Sequence, residues 1–88
     1  MIYIISMQKD KLIHQAIQTL LPKAHIEVED TMGDQNHFQA TVVCEEFEGK
    51  TLLEQHQLVY GALQELLKEQ VHALALKTYT PSEWKKLH

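Results

Sequence analysis

The chain has 88 residues, 44% hydrophobic and 23% charged, with a formal net charge of −4. That length supports one domain burying roughly 60% of its unfolded surface, and the composition excludes a disordered chain. A single cysteine, Cys44, excludes an internal disulfide, and eight lysines without any arginine leave no bidentate guanidinium for reading base edges.

The opening MIYIIS is apolar but far shorter than the ~20 residues of a membrane-spanning helix. Residues 1–6 are read as an extension, either loose or an added edge strand, and Met7 offers an alternative start. Residues 7–88 are read as one domain. No charged segment leads into an apolar stretch with a small-residue cleavage site, so a reducing cytoplasm is the expected location.

In KDKLIHQAIQTLLP, the apolar residues Ile13, Ala16, Ile17, Leu20 and Leu21 recur at i, i+3, i+4, i+7 and i+8, which predicts a helix ended by Pro22. HIEVED alternates Ile26 and Val28 with acids, and HFQATVVC places Phe38, Ala40, Val42 and Cys44 on one face. Joined by the turn-rich TMGDQN, they predict an antiparallel hairpin. EFEGK breaks the second strand at Gly49.

TLLEQHQLVYGALQELLKEQ carries Leu52, His56, Val59, Leu63, Leu66 and Leu67 on a helical stripe, with Thr51 and Glu54 at capping-box spacing. TLLEQ could equally stand as a short turn of its own. Gly61 costs the helix roughly 1 kcal/mol against alanine, which points to close packing or a break nearby. VHALALKTY is apolar on both faces, so it is placed inside the sheet. In TPSEWKKLH, Thr80 caps a last helix, Pro81 sits at its first position and Glu83 three residues after the cap.

The order is α-β-β-α-β-α, an α+β fold with a three-stranded mixed sheet covered by helices. Cys44 shares a face with core residues and is read as core, where a buried thiol keeps its proton. His56 lies on the apolar stripe and is read as a satisfied, semi-buried histidine. His14, His25 and His88 are read as surface residues. No CxxC, HExxH or His-x3-His pattern supports an independent zinc site. No nucleophile has an evident base and orienting group, so an enzyme is not expected.

HFQATVVCEEFEGKTLLEQHQLVYGALQELL followed by VHALALKTYTPSEW resembles the BolA family. The His-Phe pair entering the second strand, Phe47 with Gly49-Lys50, LLEQHQLVY and the HAL, KTYTPSEW tail carry the resemblance, from about Glu27 to Trp84. GDQNHF is most similar to the acid-stress-related bacterial branch. The resemblance implies a fold like class II KH domains and a non-enzymatic adaptor. Such an adaptor forms a heterodimer with a monothiol glutaredoxin and shares one 2Fe-2S cluster with it and with glutathione, in iron-sulfur trafficking or iron and redox sensing. No cofactor is expected on the chain alone, which would be a monomer or weak homodimer.

By residue type and position His72 could be a strand-end histidine hydrogen-bonded to backbone, but the resemblance implies that it is the C-terminal cluster ligand. The family's second ligand, a cysteine or histidine, comes from the loop between the first two strands, and TMGDQN holds neither. His37 is the nearest imidazole and is either that ligand or an exposed strand residue; Asp34 is an oxygen donor poorly matched to iron-sulfur chemistry. A cluster held from this side by His72 alone is equally admissible. Lys77, Tyr79, Thr80 and Trp84 are the candidate partner surface, although Trp84 also suits packing of the last helix onto the sheet. The alternative is a DNA-binding transcriptional regulator of stress response and morphology, using Lys77, Lys85 and Lys86. Against it, Gly33, Gly49 and Gly61 never fall at the GxxG spacing with which KH domains clamp a nucleic-acid backbone.

Overall fold

A computed structural model describes residues 9–69, 71 and 73–88. Residues 1–8, which include the 1–6 extension, lie outside the described residues, as do Gln70 and His72. The elements are α1 (Lys9–Leu20), β1 (His25–Asp30), β2 (His37–Val43), a 3-10 turn (Glu45–Phe47), α2 (Leu52–Glu69), β3 (Ala73–Tyr79) and α3 (Pro81–Leu87). The order α-β-β-α-β-α over a three-stranded mixed sheet is the one expected.

β1 pairs antiparallel with β2, from His25 opposite Val43 to Asp30 opposite Phe38. β2 pairs parallel with β3, from His37 beside Ala73 to Val43 beside Tyr79. Alternation then sorts the side chains. Phe38, Ala40 and Val42 face the helices in rows with Leu74, Leu76 and Thr78. They meet Ile13, Ile17 and Leu21 at α1 and Val59 and Leu63 of α2 in one core that also takes in Cys44 and Phe47. α1 lies over β1, α2 over β3, and the two helices pack against each other. The opposite face carries Glu29, Gln39 and Ala75 in one row and Glu27, Thr41 and Lys77 in the next.

β3 is an edge strand, not an inner one: the sheet order is β1-β2-β3. The parallel crossover through α2 brings it to the free side of β2, because β1 already holds the other side. Ala73, Ala75 and Lys77 are exposed while Leu76 and Thr78 are buried. Two alanines made the outer face read as apolar, yet they bring little surface that demands cover.

α2 also departs from its predicted stripe. Its buried residues are Gln55, Val59 and Leu63, whereas Leu52 is 62% exposed. The helix runs unbroken through Gly61, and TLLEQ is its first turn rather than a separate piece. Both Thr51–Glu54 bonds of the capping box form, 2.8 and 3.1 Å long. Gln55 takes the core position because its amide is satisfied: it accepts from the Thr78 hydroxyl at 2.7 Å and donates to the carbonyls of Lys50 and Phe47 at 3.1 and 3.4 Å. Buried polar groups survive only with such partners.

α3 has its predicted capping box at Thr80 and Glu83, with Pro81 following the cap. No residue of this helix is buried. Its anchor is Trp84, half-buried, with ring centroids 5.3 Å from Tyr79 and 5.8 Å from His25.

Candidate functional site

Position 37 is where loop and strand meet. Gly33 turns the chain at φ +68°, and Gln35 follows at φ +60°, a left-handed conformation that costs a side-chain-bearing residue energy. The cost is offset locally. The Gln35 N–H and its side-chain amide both donate to one Asp30 carboxylate oxygen at 2.9 Å. Its side-chain oxygen accepts the Lys9 N–H at 3.1 Å, which ties the start of α1 to the loop.

Asp34 completes the arrangement. Its Oδ1 accepts the N–H groups of Asn36 and His37 at 2.9 and 3.2 Å, and its Oδ2 lies 2.7 Å from His37 Nδ1. The Asn36 N–H holds the Asp34 carboxyl below its ordinary value against an opposing desolvation, with lesser help from the His37 ring and N–H. His37 is half-exposed and lies in register with Ala73. The Ala73 N–H donates to the Asn36 carbonyl at 3.0 Å, so the loop end and the start of β3 are bonded directly. The predicted ligand His72, the residue before Ala73, lies outside the described residues.

The other predicted site residues sit elsewhere. Tyr79 pairs with Val43 at the far end of the parallel strands, about 20 Å from His37 at some 3.3 Å per strand residue. Thr80 is buried and its hydroxyl is engaged in the α3 cap; Trp84 covers Tyr79, and His88 approaches Trp84 at 4.1 Å. Lys77 stands exposed on the open sheet face, and Lys85 and Lys86 are exposed in the last turn of α3. Among the described residues, His37 thus stands at one end of the sheet and Tyr79, Thr80 and Trp84 at the other.

Cys44 is buried in the core as expected. His56 is half-buried, edge-on to Tyr60 at 6.2 Å, but its Nε2 is enclosed without a partner among the described residues, so it is not the satisfied histidine expected. His14 is half-buried rather than on the surface. His25 is exposed and bonded to Glu27 at 2.8 Å. Asp34 is the site residue that sequence reasoning undervalued. Its signal was the Asp-x-x-His spacing at a loop end, where a side chain can bond both backbone and ring.

Residues 17–83 match the family model described as BolA-like protein. The chain belongs to the BolA-like family. It is 43% identical over 75 residues to Protein BOLA2 of Arabidopsis thaliana, covering 83% of this chain and 80% of that protein. It is 44% identical over 55 residues to the DNA-binding transcriptional regulator BolA of Escherichia coli, covering 62% of this chain and 52% of the regulator. It is 43% identical over 53 residues to the Escherichia coli acid stress protein IbaG, covering 59% of this chain and 63% of that protein. Among solved structures, BolA1 of Arabidopsis thaliana superposes with a TM-score of 0.79 at 32% identity, covering 89% of this chain and 98% of that one. The expected acid-stress relative and BolA-like fold are therefore both present. No helix among the described residues is long and apolar enough to cross a membrane.

Proposed function

We propose that this BolA-like protein is a non-enzymatic adaptor that forms a heterodimer with a monothiol glutaredoxin and shares a 2Fe-2S cluster with it, with His37 and His72 as this chain's ligands. One observation carries the reading. The β2–β3 register sets His37 beside Ala73, the residue that follows His72 in the sequence, and this supports reading the two histidines as a ligand pair. Histidine in place of thiolate on one iron is established chemistry for two-iron clusters and raises their potential.

The donor set fits a shared site. Cys44 is committed to the core, so the described residues offer imidazole and no exposed thiol. The sulfur ligands then come from the glutaredoxin cysteine and glutathione. Among the described residues no three histidine, cysteine or carboxylate side chains gather into a metal centre of their own. Mixing the protein anaerobically with a cluster-loaded monothiol glutaredoxin, followed by native mass spectrometry, tests this. The expected product is a 1:1 heterodimer carrying one cluster; two separate proteins under these conditions would refute it.

A DNA-binding regulator is the second reading, favoured by the name of the Escherichia coli regulator. Lys77 on the sheet face and Lys85 and Lys86 on α3 would supply phosphate contacts. The net charge of −4 opposes it. Fluorescence anisotropy on duplex DNA at physiological salt decides: sequence-selective binding would favour the regulator.

A further inference from the structure

Building on the reading of His37 as a cluster ligand, we infer that Asp34 is the positioning residue of that ligand. It keeps the imidazole proton on Nδ1 and so presents Nε2 as the donor atom.

The geometry leads there in three steps. An ionised carboxylate only accepts hydrogen bonds, so the ring nitrogen 2.7 Å from Asp34 Oδ2 must carry the proton. In a neutral imidazole the lone pair then resides on the other nitrogen, and metal coordination needs that lone pair. Finally, the carboxylate cannot turn away freely. Its other oxygen is held by the N–H groups of Asn36 and His37, so swinging Oδ2 off the ring would break two backbone bonds. One oxygen fixes the loop and the other fixes the ring.

The cost of building this device is visible. Gln35 adopts φ +60° between Asp34 and Asn36, and two hydrogen bonds donated to Asp30 and one accepted from Lys9 hold it there. Unfavourable backbone conformations persist where the surroundings over-determine them. Here that conformation folds Asp34 back over His37. A carboxylate behind a ligating histidine sets its tautomer and raises its basicity, and losing it typically lowers metal affinity 10–100-fold.

Asp34→Asn separates this role from simple loop support. Two backbone N–H groups keep the asparagine oxygen in the Oδ1 place, which turns its NH2 toward His37 Nδ1. The amide now donates, so the ring proton moves to Nε2 and blocks the donor atom while the loop stays folded. Long-range nitrogen-proton NMR correlations of the neutral His37 ring should show Nδ1–H in the parent protein and Nε2–H in Asp34→Asn, with the Gln35 and Asn36 amide signals retained. Titrated into cluster-loaded glutaredoxin and followed by visible circular dichroism, Asp34→Asn should need about 10–100-fold more protein for half-maximal change. An unchanged tautomer, or an unchanged titration midpoint while His37→Ala abolishes the signal, overturns the assignment of Asp34. If His37→Ala titrates like the parent, the ligand reading itself fails, and the NMR result still decides what Asp34 does to the ring.

Discussion

Replacing Gln55 by leucine should destabilise the protein although it puts an apolar side chain into an apolar core. The residue is 6% exposed, and its amide joins three places: the Thr78 hydroxyl of β3 at 2.7 Å, the Lys50 carbonyl at 3.1 Å and the Phe47 carbonyl at 3.4 Å. Phe47 keeps a second partner in the Lys50 N–H, and Lys50 is exposed, so both carbonyls tolerate the loss. Thr78 is 7% exposed and does not. Losing the Thr78 bond at about 1 kcal/mol and stranding its buried hydroxyl at about 1–3 kcal/mol puts Gln55→Leu near 2–4 kcal/mol. For a domain of this size that lowers Tm by roughly 8–30 °C.

Thr78→Val alone strands the Gln55 oxygen and should cost about 1–3 kcal/mol. The double variant leaves neither partner stranded and should cost less than the sum by about 1–3 kcal/mol. Urea denaturation of the four proteins measures this coupling. Additivity within about 0.5 kcal/mol would show that the bond does not carry the effect. Because this bond sits at the Tyr79 end of the sheet, none of the variants should alter the proposed cluster binding well below its Tm.

Gly61→Ala should stabilise α2 by about 1 kcal/mol and raise Tm by about 4–8 °C, because a Cβ there meets nothing within 4 Å; calorimetry showing a lower Tm would expose a packing contact. Asp34 and Glu54 should give acid sensitivity. Each carboxyl is held below its ordinary value of 3.8 or 4.5, Asp34 mainly by the Asn36 N–H and Glu54 mainly by the Thr51 N–H. The folded state therefore binds fewer protons than the unfolded one. Their stabilisation is complete above the ordinary values and fades as pH falls through the lowered ones, over about pH 5 to 3. Glu54→Gln should flatten that slope in urea midpoints collected across pH; a parallel profile would contradict it.

Much of the fold was legible because local signals agreed with the global arrangement. Period-two alternation marked β1 and the first half of β2, although Thr41 and Val43 are buried too, and the threonine-glutamate boxes at Thr51 and Thr80 both formed as spaced. Gln55 was illegible because a polarity pattern cannot show that three distant acceptors and donors will surround an amide. β3 misled for a related reason: alanine counts as apolar in a pattern, yet Ala73 and Ala75 sit comfortably in solvent on an edge. At the site, spacing placed His37 correctly at the loop exit. Asp34 was judged as an iron ligand, for which its oxygen is a poor donor, whereas its place in the structure is behind the imidazole. That placement depends on the left-handed turn at Gln35, which no composition rule anticipates for a glutamine.

The proposed function assigns the cluster's nitrogen ligands to His37 and His72. Visible circular dichroism of the cluster formed with a monothiol glutaredoxin tests it most directly, comparing the parent with His37→Ala, His72→Ala and, as a control at the far end, His25→Ala. The expected result is a heterodimer spectrum distinct from that of glutaredoxin alone, lost or reshaped in His37→Ala and His72→Ala and intact in His25→Ala. A parent-like spectrum from His37→Ala and His72→Ala would contradict it.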